Sequence, residues 1–207
     1  MFIKSLLVII FLSTSFAHME VSYPYPRYSK FSPYYKSIGM VDYSNLAPLG
    51  SMDRFDKPYP CKGYPKGPVQ ASFKAGDTIK LTMTGGAIHD GGHCQFAISY
   101  DQQKWVVIKD VFTRCMLDTL NFDIPIPVGA RPAKNATLSF NWINNVGNRE
   151  WYMNCIDIEI TGGNPSGTIT GPELLVANLP GYVVFPQFNQ GGDHVERFAQ
   201  RPQITIP

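Results

Sequence analysis

Between Val69 and Ile160 apolar and polar residues alternate in short runs. Thr78-Ile79-Lys80-Leu81-Thr82-Met83-Thr84 places apolar side chains on one face and threonine or lysine on the other, the period-two signature of a half-buried strand. Cys94-Gln95-Phe96-Ala97-Ile98-Ser99-Tyr100 and Lys104-Trp105-Val106-Val107-Ile108 follow, joined by the polar Asp101-Gln102-Gln103, and read as a hairpin. Further strands are expected at Val69 to Phe73, Leu120 to Ile124, Ala136 to Trp142 and Asn154 to Ile160. Roughly seven short strands separated by Gly/Pro turns, with no convincing amphipathic helix, predict an all-β fold. A β-sandwich of the immunoglobulin/fibronectin-like kind is favoured, with a closed barrel as the alternative.

The flanks lack this pattern. From Tyr23 to Pro68 the chain is dense in proline and tyrosine, which removes backbone donors and breaks helices and central strands. This predicts a long irregular segment laid over the core. Its eight tyrosines are expected mainly to pack with their hydroxyls in water, a minority forming a sugar-stacking surface. Past Thr161 the chain is rich in Gly, Pro and Asn, so residues 161–207 are expected to form an extended C-terminal arm ending in a loose tail.

The N-terminus reads as a signal peptide over residues 1–17. Lys4 gives the positive start, Leu6 to Leu12 the apolar centre, and Ser15 and Ala17 the small residues at −3 and −1 of a cut before His18. The apolar run is far short of the roughly 20 residues that span a bilayer. The expected product is a secreted, extracellular, single domain of residues 18–207. Loss of Lys4 takes the net charge from +2 to +1, and with no Lys/Arg run there is no electrostatic case for nucleic acid or an anionic membrane. Cys61, Cys94, Cys115 and Cys155 in an oxidising compartment imply two disulfides, with three possible connectivities, and are too widely spaced for paired CxxC zinc motifs. Asn135-Ala136-Thr137 is a glycosylation acceptor.

Three stretches carry chemistry. A chain that begins at His18 offers one metal both an α-amine and an imidazole, a pair no internal histidine has. Gly85 to Gln95 is a glycine-rich loop that presents His89 ahead of the strand at Cys94. His93 lies four residues on, but the glycines make a helix implausible, so the spacing does not put both rings on one helical face. In Asn148-Arg149-Glu150-Trp151-Tyr152-Met153-Asn154-Cys155, alternation turns Glu150 and Tyr152 to one side and Trp151 and Met153 to the other.

In order and spacing, His18-Met19, Ala87-Ile88-His89-Asp90-Gly91-Gly92-His93-Cys94-Gln95 and Asn148 to Cys155 resemble the signatures of fungal lytic polysaccharide monooxygenases, closest to auxiliary activity family eleven. Pro60-Cys61-Lys62-Gly63 and Gly171 to Pro180 resemble that family's pattern too. The resemblance implies one copper per chain in a histidine brace, held by the amine and Nδ1 of His18 and Nε2 of His89. Tyr152 would be the axial group, Ala87 would crowd the opposite side, and Glu150 would steer the oxygen cosubstrate. It also implies a monomer that uses an external electron donor and hydrogen peroxide or dioxygen to break an insoluble polysaccharide oxidatively, with chitin expected first and cellulose second. The bottom-up chemistry agrees: an α-amine titrates near pH 8, and nitrogen ligands in a plane suit Cu(II).

His93 matches a position the family leaves variable and is expected to be mainly a neighbour of the site, and His194 a solvated tail residue. Hydrolysis by paired carboxylates is disfavoured, because Asp90, Glu150, Asp157 and Glu159 have plainer roles as loop, site-neighbour and strand-surface groups. The main rival is a secreted brace protein that binds copper without oxidising anything, and retention of Tyr152 favours the enzyme. A structural protein that only binds polysaccharide is the remaining reading. For the disulfides, Cys94 and Cys115 flank the hairpin and Cys61 can fasten the proline-rich segment to Cys155, pairs that are also similar to the family arrangement.

Overall fold

The structure is a computed structural model and describes residues 18–207, so the leader assigned to residues 1–17 lies outside the described residues. In chain order the strands are β1 (Met19–Tyr23), β2 (Gly50–Ser51), β3 (Arg54–Phe55), β4 (Ala71–Lys74), β5 (Thr78–Gly85), β6 (Gly92–Ser99), β7 (Val106–Val111), β8 (Asn121–Pro125), β9 (Ala133–Asn144), β10 (Glu150–Thr161), β11 (Ile169–Pro172) and β12 (Gln203–Ile206). A one-turn helix, α1 (Pro33–Ser37), and three 3-10 turns complete the described elements.

Strands β1, β5 and β8 form a small antiparallel sheet in the order β1-β5-β8. The larger sheet runs β3-β2-β10-β9-β6-β7, with β4 lying parallel to the end of β10. Val21, Ile79, Leu81 and Met83 from the small sheet meet Phe96, Phe140, Trp142, Tyr152 and Ile156 from the large one in the main core. The all-β expectation holds, and the seven strands expected from the sequence correspond to β4 through β10. β5 shows the alternation its sequence announced, with Ile79, Leu81 and Met83 buried between exposed or half-buried neighbours.

The larger sheet is buried on both faces, which alternation does not announce. All eight residues of β6 are buried. On the outer face Trp105, Ile143, Trp151 and Met153 pack against Leu49, Leu174, Ala177, Leu179, Phe185 and Phe198. Burying a large apolar side chain contributes roughly 1.5–3 kcal/mol, so the C-terminal arm is a second cover rather than a trailing strap. Its end is not loose: β12 pairs with β11, and Ile206 is 2% exposed.

The proline- and tyrosine-rich segment is irregular apart from α1, the β2–β3 hairpin and a 3-10 turn at Cys61–Gly63. It is fastened by two devices. One is the Cys61–Cys155 disulfide, and Cys94–Cys115 is the other bridge, so both expected pairs form. The second is an ion pair from Arg27 to Asp157, both fully buried, with Nη2 to Oδ1 at 2.6 Å and Nε to Oδ2 at 2.8 Å. Asp157 is therefore not the strand-surface group expected; it also accepts from the Gly67 N–H at 2.8 Å. The glycosylation acceptor Asn135 is likewise engaged, its Nδ2 donating to the Gly67 carbonyl at 3.1 Å.

Removing one member of a buried pair strands the other charge. Asp157→Asn is expected to lower stability by about 3–5 kcal/mol in urea denaturation. A loss below about 1 kcal/mol, the range of exposed pairs, would show that water reaches Arg27.

Candidate metal centre

The site forms at one end of the sandwich, where the small sheet begins and the β5–β6 loop crosses over. His18 stands just ahead of β1. Met19 is in register with Gly85 at the end of β5, and the Gly86 N–H donates to the His18 carbonyl at 3.2 Å. A Cβ on Gly85 would lie 2.1 Å from that carbonyl oxygen, so only glycine lets the two strands close here. The strand pairing thus delivers His18 to the foot of the loop that carries His89.

That loop is tied down on several sides. His89 (φ +46°) and Asp90 (φ +55°) are left-handed. The Gly91 N–H donates to the Ile88 carbonyl at 2.8 Å, Val146 N–H to the His89 carbonyl at 3.1 Å, and the Trp142 indole to the Gly91 carbonyl at 3.1 Å. Just beyond, Cys94–Cys115 anchors the start of β6. A Cβ on Gly147 would fall 3.3 Å from His89 Nδ1, so the β9–β10 turn backs the Nδ1 edge of the ring.

The third contributor is the entrance of β10. Tyr152 is 2% exposed, with its ring 4.5 Å from that of Trp142, 5.7 Å from His18 and 6.4 Å from His89. Its hydroxyl donates to Glu150 Oε2 at 2.6 Å, and Glu150 is buried too. Trp151 and Met153 point into the outer core, as alternation predicted. The rings of His18 and His89 stand 6.2 Å apart, and one ligand atom each from His18, His89 and Glu150 lie within 4.8 Å of one another. Two imidazoles and a carboxylate at that spacing are a donor set for a transition metal.

Burial raises the Tyr152 hydroxyl well above the ordinary phenol range, and its bond to Glu150 adds to this, so the group stays protonated. Burial also lowers the His18 imidazole, while the neighbouring Glu150 carboxylate works in the opposite direction.

The other histidines are elsewhere. His93 is fully buried, but its ring sits among Phe112, Phe188 and Phe198. Its Nδ1 accepts from the Thr113 N–H at 3.0 Å, which leaves Nε2–H to donate to the Asp193 carbonyl at 2.6 Å. It is a fastener of the arm rather than a neighbour of the site. His194 is half-buried beside Phe185, not solvated.

Sequence reasoning missed the platform beneath His18. Asn154 shares the inward face of β10 with Tyr152, and its Oδ1 accepts from the Val21 N–H at 2.9 Å, tying β1 of one sheet to β10 of the other. Its Nδ2 donates to the Asn45 carbonyl at 3.1 Å. The buried Lys62 ammonium donates to that same carbonyl and, at 2.9 Å, to the carbonyl of Ala47. The available signal was a polar residue at an inward position of an otherwise apolar strand face.

Asn154→Leu leaves the Val21 N–H without its partner, while the Asn45 carbonyl keeps Lys62, and is expected to cost about 1–3 kcal/mol. Hydrogen exchange should report it locally, as faster exchange at Val21; unchanged protection there would dissolve the tie. Burial above all, with Lys57 adding to it, draws the Lys62 amine down to about 7. Between that value and the ordinary lysine range the unfolded chain holds the extra proton, so stability rises with pH through this window and falls as pH drops towards 7. Metal-free protein should therefore gain stability from pH 7 to pH 9 relative to Lys62→Met, by up to about 1.4 kcal/mol per pH unit. Parallel stability curves would contradict this.

No family model matches the chain. Among curated proteins it is similar to AA11 family lytic polysaccharide monooxygenase A of Aspergillus fumigatus, with 40% identity over 175 residues, 81% of this chain and 77% of that one. It is also similar to monooxygenase B of the same family and species, at 34% over 79% of this chain and 41% of the relative, and to an AA11 enzyme of Aspergillus oryzae, at 34% over 43% and 25%. The chain thus spans less than half the length of the latter two. Two solved structures are similar at lower levels: a cellulose-active polysaccharide monooxygenase from M. thermophila (TM-score 0.44, 19% identity, 56% of this chain and 64% of that one) and HiLPMO9B (0.42, 11%, 76% and 75%). On the sequence relatives, the chain belongs to the AA11 family of lytic polysaccharide monooxygenases.

Proposed function

We propose that the chain, once cut before His18 and secreted, holds one copper and oxidatively cleaves a crystalline polysaccharide, most of all chitin. The observation that carries this is the convergence of His18, His89 and Glu150 ligand atoms within 4.8 Å, with Tyr152 beside them. The donor chemistry fits the metal. Cleavage turns the His18 nitrogen from an amide into an amine, adding a third nitrogen to the two imidazoles, and a set of nitrogen donors suits Cu(II). When bound, copper would supply one-electron chemistry toward hydrogen peroxide or dioxygen, for oxidation at C1 or C4 of a glycosidic linkage with electrons from an external donor.

The chain's own residues divide the remaining work. His18 contributes its amine and Nδ1, and His89 its Nε2, the edge turned away from Gly147. Burial above all, with the hydrogen bond to Glu150 adding to it, keeps the proton on Tyr152, so it offers a weak neutral oxygen rather than a phenolate. Glu150 also orients the oxygen cosubstrate by hydrogen bonding. The buried Trp142 ring packs against both His89 and Tyr152.

The test compares protein beginning at His18 with the same protein carrying one extra residue before it. The first should bind one copper per chain and, with a reductant and chitin, release C1- or C4-oxidised oligosaccharides seen by mass spectrometry; the second should bind copper far more weakly and release none. Equal behaviour would refute the brace. Copper binding without oxidised products from chitin or cellulose would favour the non-catalytic reading. Glu150→Gln should retain one copper and lose about 100-fold in product formation.

A further inference from the structure

Between Phe185 and Arg201 the arm lies against the outer face of the larger sheet without pairing with any of its strands. Its regular structure is two 3-10 turns, Phe188–Gln190 and Val195–Gln200, and the backbone hydrogen bonds within it are local. Three hydrogen bonds tie it to the sandwich. His93 Nε2–H donates to the Asp193 carbonyl and the Thr113 hydroxyl to the Asp193 carboxylate, both at 2.6 Å, and the Phe188 N–H donates to Asn145 Oδ1 at 3.1 Å. The rings of Phe188 and Phe198 each stand 4.8 Å from that of His93, which is fully buried.

The partners of His93 allow it one protonation state. Its Nδ1 accepts from the Thr113 N–H at 3.0 Å, and a backbone N–H can only donate, so Nδ1 is bare. A proton there would set N–H against N–H and place a cation among phenylalanine rings, away from water. Thr113 carries the disturbance further, because its hydroxyl is the group that holds the Asp193 carboxylate. The charges around the ring have other partners. Asp193 also accepts from the Val195 N–H, Asp110 pairs with Arg201, whose guanidinium lies over Phe198, Arg197 lies over Phe185, and His194 faces Glu196. Burial lowers the His93 imidazole against the pull of Asp193 and Asp110, and His194 adds to the lowering.

The same segment reaches the loop of His89. Asn145, which accepts from Phe188, donates from its own N–H to the Gly91 carbonyl and from Nδ2 to the Asp90 carbonyl, each at 3.1 Å. We propose that His93 is an acid-operated latch: on taking a proton it releases residues 186–200 from the sandwich, and with them the hold of Phe188 on Asn145, while the central strands stay folded. The latch works with or without a metal at the centre. The docked segment demands a neutral ring and the released one does not. Docking is therefore strongest above the ordinary histidine range and weakens as pH falls below about 6.5, by up to about ten-fold per pH unit.

The experiment is amide hydrogen exchange of metal-free protein beginning at His18, followed by NMR and corrected for intrinsic rates. From about pH 7 to about pH 5, protection at Thr113, Phe188 and Val195 should fall by about ten-fold, while that of Phe96 and Phe140 holds. His93→Gln cannot take a proton and should make protection at the three sites flat over this range, whereas His194→Gln should keep the full dependence. Flat protection in the unsubstituted protein, an undiminished dependence in His93→Gln, or its loss in His194→Gln would overturn the latch. If His93→Gln fails to dock at any pH, the His93 ring signals of the unsubstituted protein decide. They should titrate in step with the ring signals of Phe188 and Phe198, and titration that leaves those signals unmoved would overturn the latch as well.

Discussion

Three strands at the centre of this molecule, β6, β9 and β10, turn almost no residue to water. Strands buried on both faces need two covers, and that requirement accounts for most of the chain outside the sandwich. The small sheet supplies one cover. The arm and the proline-rich segment supply the other, with Phe185 and Phe198 filling one part and Leu49 and Cys61 another. A pair of stacked sheets alone would leave Trp105 and Trp151 facing solvent, an apolar patch that a monomeric surface rarely carries.

The candidate centre benefits from this double cover because it sits where the covered strands end. Its members come from a strand start, a loop and a strand entrance, and each is held by backbone contacts rather than by long side chains. The Gly86 N–H fixes the His18 carbonyl, Val146 N–H fixes that of His89, and the β9–β10 ladder fixes Tyr152. Site atoms on or beside rigid elements are located more closely than on free loops. Asn154 then ties β1 to β10 close behind His18, and Lys62 braces the Asn45 carbonyl that Asn154 also holds.

The sequence made the sandwich legible where one strand face is wet, as in Thr78 to Thr84, because the period of two survives there. It also placed β6, β9 and β10, where polar residues such as Gln95, Ser139, Asn141 and Asp157 keep the alternation although they are buried, so the second cover stays hidden. β1 is hard to see in the sequence because Met19-Glu20-Val21-Ser22-Tyr23 is short and runs straight into prolines. Its glutamate is buried and pairs with Lys30 at 2.6 Å, a contact no local pattern announces. The pairing of β11 with β12 joins segments separated by two Gly/Pro-rich turns and leaves the same local trace as a loose tail. Candidate-site residues are easier to read than their supports. His89, Glu150 and Tyr152 stand in a motif, whereas Asp157 looks like any strand-surface acid until Arg27 is found beside it.

The Val21–Asn154 hydrogen bond joins residues 133 positions apart. During synthesis, therefore, β1 emerges among the first residues of the domain but cannot take its final place until β10 has followed it. Loops of that length close late, because the entropy of bringing distant segments together is spent before their contacts return it. His18 is thus the first residue of the candidate centre to be made and among the last to be positioned, and a chain truncated between His89 and β10 would carry both histidines without the strand that completes their surroundings.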